Sequence, residues 1–184
     1  MNPALRLPEL ADYEVITSWV PDAQSCLLWA GPRVRFPFTA AELPSLLMPS
    51  GEHGQSYCLA GSSASLLGFG QYLIRKPGAV HLARLIISPA LRGKGFGRLL
   101  CQLLVARALQ ATGANEVTLA VFRDNDVALS LYSSLGFSVV EAECSEKVLS
   151  MRAEANPQAG AKGGQPGSSE TNRTSAAAAS RRSP

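Results

Sequence analysis

Three glycines at every second position, Gly93, Gly95 and Gly97, alternate with Lys94 and Phe96 and are bracketed by Arg92 and Arg98. The run follows an apolar stretch, Leu85-Ile86-Ile87, that stops at Pro89. It precedes a helical stripe of Leu99, Leu100, Leu103, Leu104 and Leu109. Glycines in such a place let successive backbone N–H groups face one point without side-chain obstruction. The unpaired N–H groups of the helix's first turn, with the macrodipole behind them, deepen that concavity. With Arg92, Lys94 and Arg98 around it, the site suits a diphosphate. Two common diphosphate patterns fail here. No Gly-Lys-Ser/Thr completes GxxxxGK[ST], and the glycines read GxGxG with five residues between Ile87 and Gly93, not GxGxxG. The plain alternative is a Gly-rich turn that lets a helix leave a strand.

The surrounding pattern says what must position this loop. A helix is expected over 11–20, stopped by Pro21, and another over 40–48, with Thr39 as N-cap and Glu42 completing a capping box. Pro44 sits awkwardly inside the second. Strands over 57–60 and 66–74 form a hairpin, and a third follows over 80–87. The long helix starts near Gly97 and stops at Gly113, and 116–122 alternates as a strand. A helix over 125–135, capped by Asn125 and ended by Gly136, leads to strands over 137–140 and 147–151. The order gives a mixed α/β (α+β) layer with one long βαβ crossover.

Composition narrows the class. The chain has 184 residues, 46% hydrophobic and 17% charged, enough for one domain with a sizeable core. The net charge of +3 lies wholly after residue 151: residues 1–151 balance 12 basic against 12 acidic side chains. Nucleic acid is therefore not an expected partner of the folded part. Residues 152–184 read as a disordered, basic Ala/Gly/Ser/Pro-rich tail, with no large apolar residue after Met151. Cys26, Cys58, Cys101 and Cys144 form no CxxC pair and only two histidines are present, so neither a metal site nor a disulfide framework is expected. No secretory signal or apolar run of membrane-spanning length is visible, and the cytoplasm is the expected compartment.

Two motifs carry a resemblance. Arg92-x-x-Gly95-x-Gly97 resembles the (Gln/Arg)-x-x-Gly-x-(Gly/Ala) signature of the GNAT superfamily of N-acetyltransferases, in the strand-to-helix context that signature occupies. The stretch from Asn125 through Ala128 and Tyr132 to Gly136-Phe137 resembles its second motif, N-x-x-A-x-x-x-Y-x-x-x-G-F. The motifs span about 80–140, and the element order extends the likeness over about 5–151.

The resemblance implies a mostly antiparallel central sheet flanked by helices, with a splayed strand pair holding acyl-CoA. It implies a domain over 1–151 that transfers acetyl from acetyl-CoA to a primary amine of a small molecule or peptide, by direct attack in a ternary complex. No metal is implied, and a homodimer is among the allowed assemblies. Leu85, Ile86 and Ile87 would pair with the pantetheine arm, one N–H polarising the thioester carbonyl; as a plain reading they are core strand. Arg92, Gly93, Lys94, Gly95, Phe96, Gly97 and Arg98 would wrap the pyrophosphate, with Asn125 contacting the cofactor or simply capping its helix. Tyr132 would protonate the departing thiolate, against the plain reading of a packed helical tyrosine.

The general base is not legible. Some relatives carry a glutamate five residues ahead of the asparagine, where this chain has Ala120. His81 is a candidate, or a surface histidine. The aromatic and basic stretch from Leu27 to Phe38 is expected to line the acceptor site, with Arg33 or Arg35 reading a carboxylate or phosphate, or else to supply core plugs at Trp29 and Phe38. Ala120 favours a rival reading, a non-catalytic acyl-CoA-binding regulatory module.

Overall fold

The computed structural model describes residues 2–62 and 65–155. Its strands are β1 (Ala4–Arg6), β2 (Gly54–Ala60), β3 (Leu66–Lys76), β4 (Ala79–Ile87), β5 (Glu116–Phe122), β6 (Ser138–Val139) and β7 (Val148–Glu154). Its helices are α1 (Leu10–Ser18), α2 (Ala23–Ala30), α3 (Leu43–Leu47), α4 (Phe96–Thr112) and α5 (Asp126–Ser134). The strands join in one sheet in the order β1-β2-β3-β4-β5-β7-β6. Every neighbouring pair is antiparallel except β4 and β5, which run parallel across the α4 crossover. This is the mostly antiparallel α/β sheet expected.

Helices cover both faces. On one, Leu104 and Ala108 of α4 pack with Tyr57, Tyr72, Leu82 and Leu119 of the sheet, and Leu100 packs with Leu59 and Leu67. On the other, Ile16 of α1, Cys26 of α2 and Leu43 and Leu47 of α3 close over Cys58, Phe69 and Ile86. Arg6 of β1 ties the α1 layer down through a two-pronged pair to buried Asp12, at 2.6 and 2.7 Å. That pair holds the Asp12 carboxyl below its ordinary pKa.

The N-terminal third departs from expectation. Strand β1 and helix α2 were not anticipated. The Thr39–Glu42 box does form, with Glu42 Oε2 accepting from the Thr39 amide at 2.8 Å and Thr39 Oγ1 accepting from the Glu42 amide at 3.3 Å. It closes a turn rather than a helix, which starts only at Leu43 and places Pro44 in its first turn, where a missing N–H costs nothing. At the other end, β7 runs on to Glu154, beyond residue 151. Arg152 is therefore a strand residue, paired with Glu116 at 3.3 Å and Glu143 at 3.5 Å. The expected tail lies almost wholly outside the described residues.

Strand β4 is the irregular one. Phe69 pairs with Ile86, but Gln71 pairs with Ala83, so β4 carries one residue more than β3 across this step. The bulge centres on Arg84, whose φ of 55° is the sole positive value among the described non-glycine residues. On its other side, β4 pairs with β5 only from Ala79↔Glu116 to Leu82↔Leu119. Beyond that point the two parallel strands part, and the sheet opens.

Candidate active site

The opening between β4 and β5 holds two cavities that meet. The larger, about 620 Å³, is lined by Leu85, Ile86, Ile87, Arg92, Gly97 and Leu131 among others. The smaller, about 400 Å³, is lined by Arg33, Arg75, His81, Ala120 and Phe122 among others. Leu28, Trp29, Leu85, Asn125, Ala128 and Tyr132 line both. The site is thus one cleft with two ends and a shared waist at Tyr132, roofed by α2.

Leu85, Ile86 and Ile87 stand where their backbone edge has no partner in β5. Ile86 packs into the α1–α3 layer, while Leu85 and Ile87 pack towards α4. The plain reading as core and the reading as a ligand edge hold together.

The glycine loop leads into α4 as expected. Gly93 and Gly95 have φ of 74° and 85°, and a Cβ at either would meet nothing within 4 Å, so their role is conformational freedom in an open turn. Gly95 is the N-cap of α4, no side chain caps that end, and no acidic residue lies in its first turn. The helix therefore presents free N–H groups and an uncompensated positive dipole end. Arg92 leans back towards the Ile87 carbonyl at 3.4 Å, Lys94 donates to the Ala90 carbonyl at 3.1 Å, and Arg98 reaches across to Ser134 Oγ of α5 at 2.7 Å. An anion docked here meets cations held by neutral partners. Phe96 joins the apolar cluster around Leu100.

Asn125 caps α5, its side chain accepting from the Ala128 amide at 3.1 Å, and it also lines both cavities. Tyr132 packs edge-on against Phe137, with ring centroids 6.0 Å apart. Its hydroxyl has no hydrogen-bond partner among the described residues, and burial raises its pKa well above the ordinary phenol value. The phenol is therefore protonated at neutral pH and free to donate into the cleft.

His81 is not a surface histidine, and its surroundings lower its basicity. It is half-buried, with Nδ1 2.9 Å from Thr118 Oγ1. Burial, reinforced by Arg75 and Arg84, pushes its pKa down to about 4. The unfolded chain takes up a proton that the folded chain refuses between pH of about 6.5 and about 4, so stability falls as pH drops through that window. Denaturant titrations should show a loss of about 2–3 kcal/mol across it, and His81→Gln should flatten the profile there. An unchanged profile would rule out the buried neutral imidazole.

The stretch after α1 contributes differently from expectation. Trp29 lines the cleft and donates from Nε1 to the Arg84 carbonyl at 2.8 Å, fastening α2 onto the bulge. Its ring also packs edge-on against Phe69, so cleft wall and core plug describe one side chain. Phe38 is buried in the core. Arg33 reaches the smaller cavity, whereas Arg35 does not line it. Helix α2 was missed although its signals were present. Asp22 precedes it and accepts from the Ser25 amide at 2.7 Å, and Gly31 follows it at φ 74°. Arg75 was also missed: it stands at the end of β3, far in sequence from every motif. Cys26, Cys58 and Cys101 are buried, with burial pushing the Cys58 and Cys101 thiols up to about 12. Among the described residues, no cysteine lines either cavity.

Comparison with known proteins agrees with this geometry. The sequence model of the acetyltransferase (GNAT) family matches residues 21–137. Among solved structures, the chain is similar to spermidine N-acetyltransferase from Vibrio cholerae in complex with CoA and spermine. That likeness has 20% identity and a TM-score of 0.67, covering 83% of this chain and 95% of that one. A GCN5-related N-acetyltransferase from Kribbella flavida is similar at 22% identity and TM-score 0.66, over 83% and 98% of the two chains. At these identities the structural likeness carries the fold.

Proposed function

The chain belongs to the acetyltransferase (GNAT) family, and from that premise we propose that it transfers acetyl from acetyl-CoA to a primary amine of a small molecule or peptide within a ternary complex. The observation that carries this reading is the cleft with two ends joined at Tyr132. One end suits the donor and the other the acceptor.

The residues present fit coenzyme A. The uncapped α4 N-terminus, the open turn at Gly93 and Gly95 and three nearby cations are a receptor for its diphosphate. The free backbone edge at Leu85, Ile86 and Ile87 offers amides to the arm that follows. Acetyl-CoA supplies the electrophilic thioester carbonyl and a thiolate leaving group. An unpaired β4 amide stabilises charge at the carbonyl oxygen. Tyr132 carries its proton to the waist of the cleft, where the leaving sulfur needs one.

Loss of the ammonium proton needs no carboxylate here, and none lines the acceptor cavity among the described residues. Arg75 and Arg84 already lower the pKa of His81 beside that cavity, after burial as the larger cause. The same field disfavours an incoming ammonium and favours the free amine, with the proton leaving to water. A ping-pong route lacks a reactive thiol at the site. Four free cysteines suit a reducing compartment, so a cytoplasmic location belongs to this proposal. Among the described residues, no helix is long and apolar enough to cross a membrane.

The test is CoA release from acetyl-CoA across a panel of amines, amino acids and peptides, with both substrates varied. Intersecting double-reciprocal lines are expected. Parallel lines would exclude the ternary complex. Acetyl-CoA binding with no turnover across the panel would favour a non-catalytic acyl-CoA-binding module, the reading that Ala120 keeps open.

A further inference from the structure

The acceptor end of the cleft is cationic in a domain that is otherwise balanced in charge. Arg33 and Arg75 stand exposed at its rim, and His81 and Arg84 line it more deeply. No aspartate or glutamate lines it among the described residues. The carboxylate whose field reaches Arg75 and Arg84 is Glu52, and its Oε1 is already held by Arg33 at 2.7 Å. Arg84 is 9% exposed and spends its guanidinium on neutral acceptors, the Leu47 carbonyl and Gln71 Oε1, both at 2.7 Å. Its Nε has no partner. Arg75 makes no ion pair or hydrogen bond among the described residues. Three guanidiniums thus share one carboxylate at the mouth of a cleft with apolar walls.

Such a mouth concentrates anions and repels multiply charged cations. Guanidinium forks also match the two oxygens of a carboxylate or phosphate. We infer that the acceptor amine carries an anionic group, received by Arg33 and Arg75 at the rim while the amine points in towards Tyr132. This rests on the acetyl-transfer reading and deepens it. A polyamine, whose charges are all positive, is the wrong acceptor for this site.

The experiment measures acetyl-CoA-dependent CoA release with matched acceptors: β-alanine for carboxylate, O-phosphoethanolamine for phosphate, ethanolamine as the neutral control, and spermidine. At least one anionic amine should exceed ethanolamine by about 10-fold or more in kcat/KM, with spermidine lowest. Which one leads tells carboxylate from phosphate. Arg75→Gln should cut the anionic preference several-fold through KM, Arg75→Lys should retain part of it, and Arg33→Gln gives a second reading on an exposed residue. Spermidine preferred over both anionic amines, or a preference unmoved by either Gln variant, would overturn the inference and leave the transfer reading standing. Acetyl-CoA binding with no CoA release from any amine would overturn both.

Discussion

Tyr132→Phe should lower kcat by about 100-fold, equivalent to about 2.7 kcal/mol of transition-state stabilisation, while the KM for acetyl-CoA stays nearly constant. The structure separates chemistry from folding unusually well at this residue. The ring packs edge-on against Phe137, and phenylalanine preserves that contact. The hydroxyl has no hydrogen-bond partner among the described residues, so its removal orphans nothing. Melting temperature should therefore be unchanged. Burial holds the phenol protonated, so its proton is shared with the sulfur as negative charge develops there and is not lost beforehand. Steady-state kinetics with the best acceptor from the panel checks the effect, and full activity in a folded variant removes Tyr132 from the mechanism.

Gly97→Asp should raise the acetyl-CoA KM by about 100-fold, with kcat much less affected. A Cβ at Gly97 would sit 3.6 Å from Leu131 Cδ2 and 3.9 Å from Ile87 Cγ1, both ordinary contacts. Its φ is not in the left-handed region, unlike that of Gly95, so a side chain adds no backbone strain. A carboxylate in the first turn of α4 even favours the helix, by about 0.3–1 kcal/mol. The folded protein should be as stable as before, or slightly more so. What changes is the sign of the charge at the dipole end that a diphosphate needs. Gly97→Ala is the steric control and should shift KM only a few-fold. Calorimetric titration with CoA separates binding from turnover, and an unchanged affinity in the Asp variant would move the diphosphate away from this helix.

The donor half of the site was legible because its chemistry is local. Gly93, Gly95 and Gly97 lie within five residues, and the helix they open announces itself by leucine periodicity. Asn125 and Tyr132 are held by one helix, so their spacing in sequence is their spacing in space. Strand β5 begins and ends where alternation says. The acceptor half was mostly illegible for the opposite reason. Arg33 follows α2, Arg75 ends β3 and His81 lies in β4, and only the sheet brings them together. Helix α2 is short, and its Asp22 and Gly31 signals were outweighed by the aromatic and basic residues that end and follow it. The bulge at Arg84 escapes any local reading, because arginine rarely adopts positive φ and nothing nearby demands it. The same holds for the reach of Trp29 to the Arg84 carbonyl, a contact between residues far apart in the chain.

The bulge has a consequence for how this site can change over evolutionary time. Before Arg84, the even-numbered residues Val80 and Leu82 face the α4 layer; after it, the odd-numbered Leu85 and Ile87 do. One inserted residue has shifted the phase of the strand. Substitutions along it adjust a wall, but deleting a single residue here would make the alternation continuous, leave Leu85, Ile86 and Ile87 on their present faces, and remove the bulge just past the point where β4 parts from β5. The lineage can rewrite its acceptor pocket one side chain at a time, whereas the donor edge depends on the length of β4. Loss of one codon at that point would undo it in a single step.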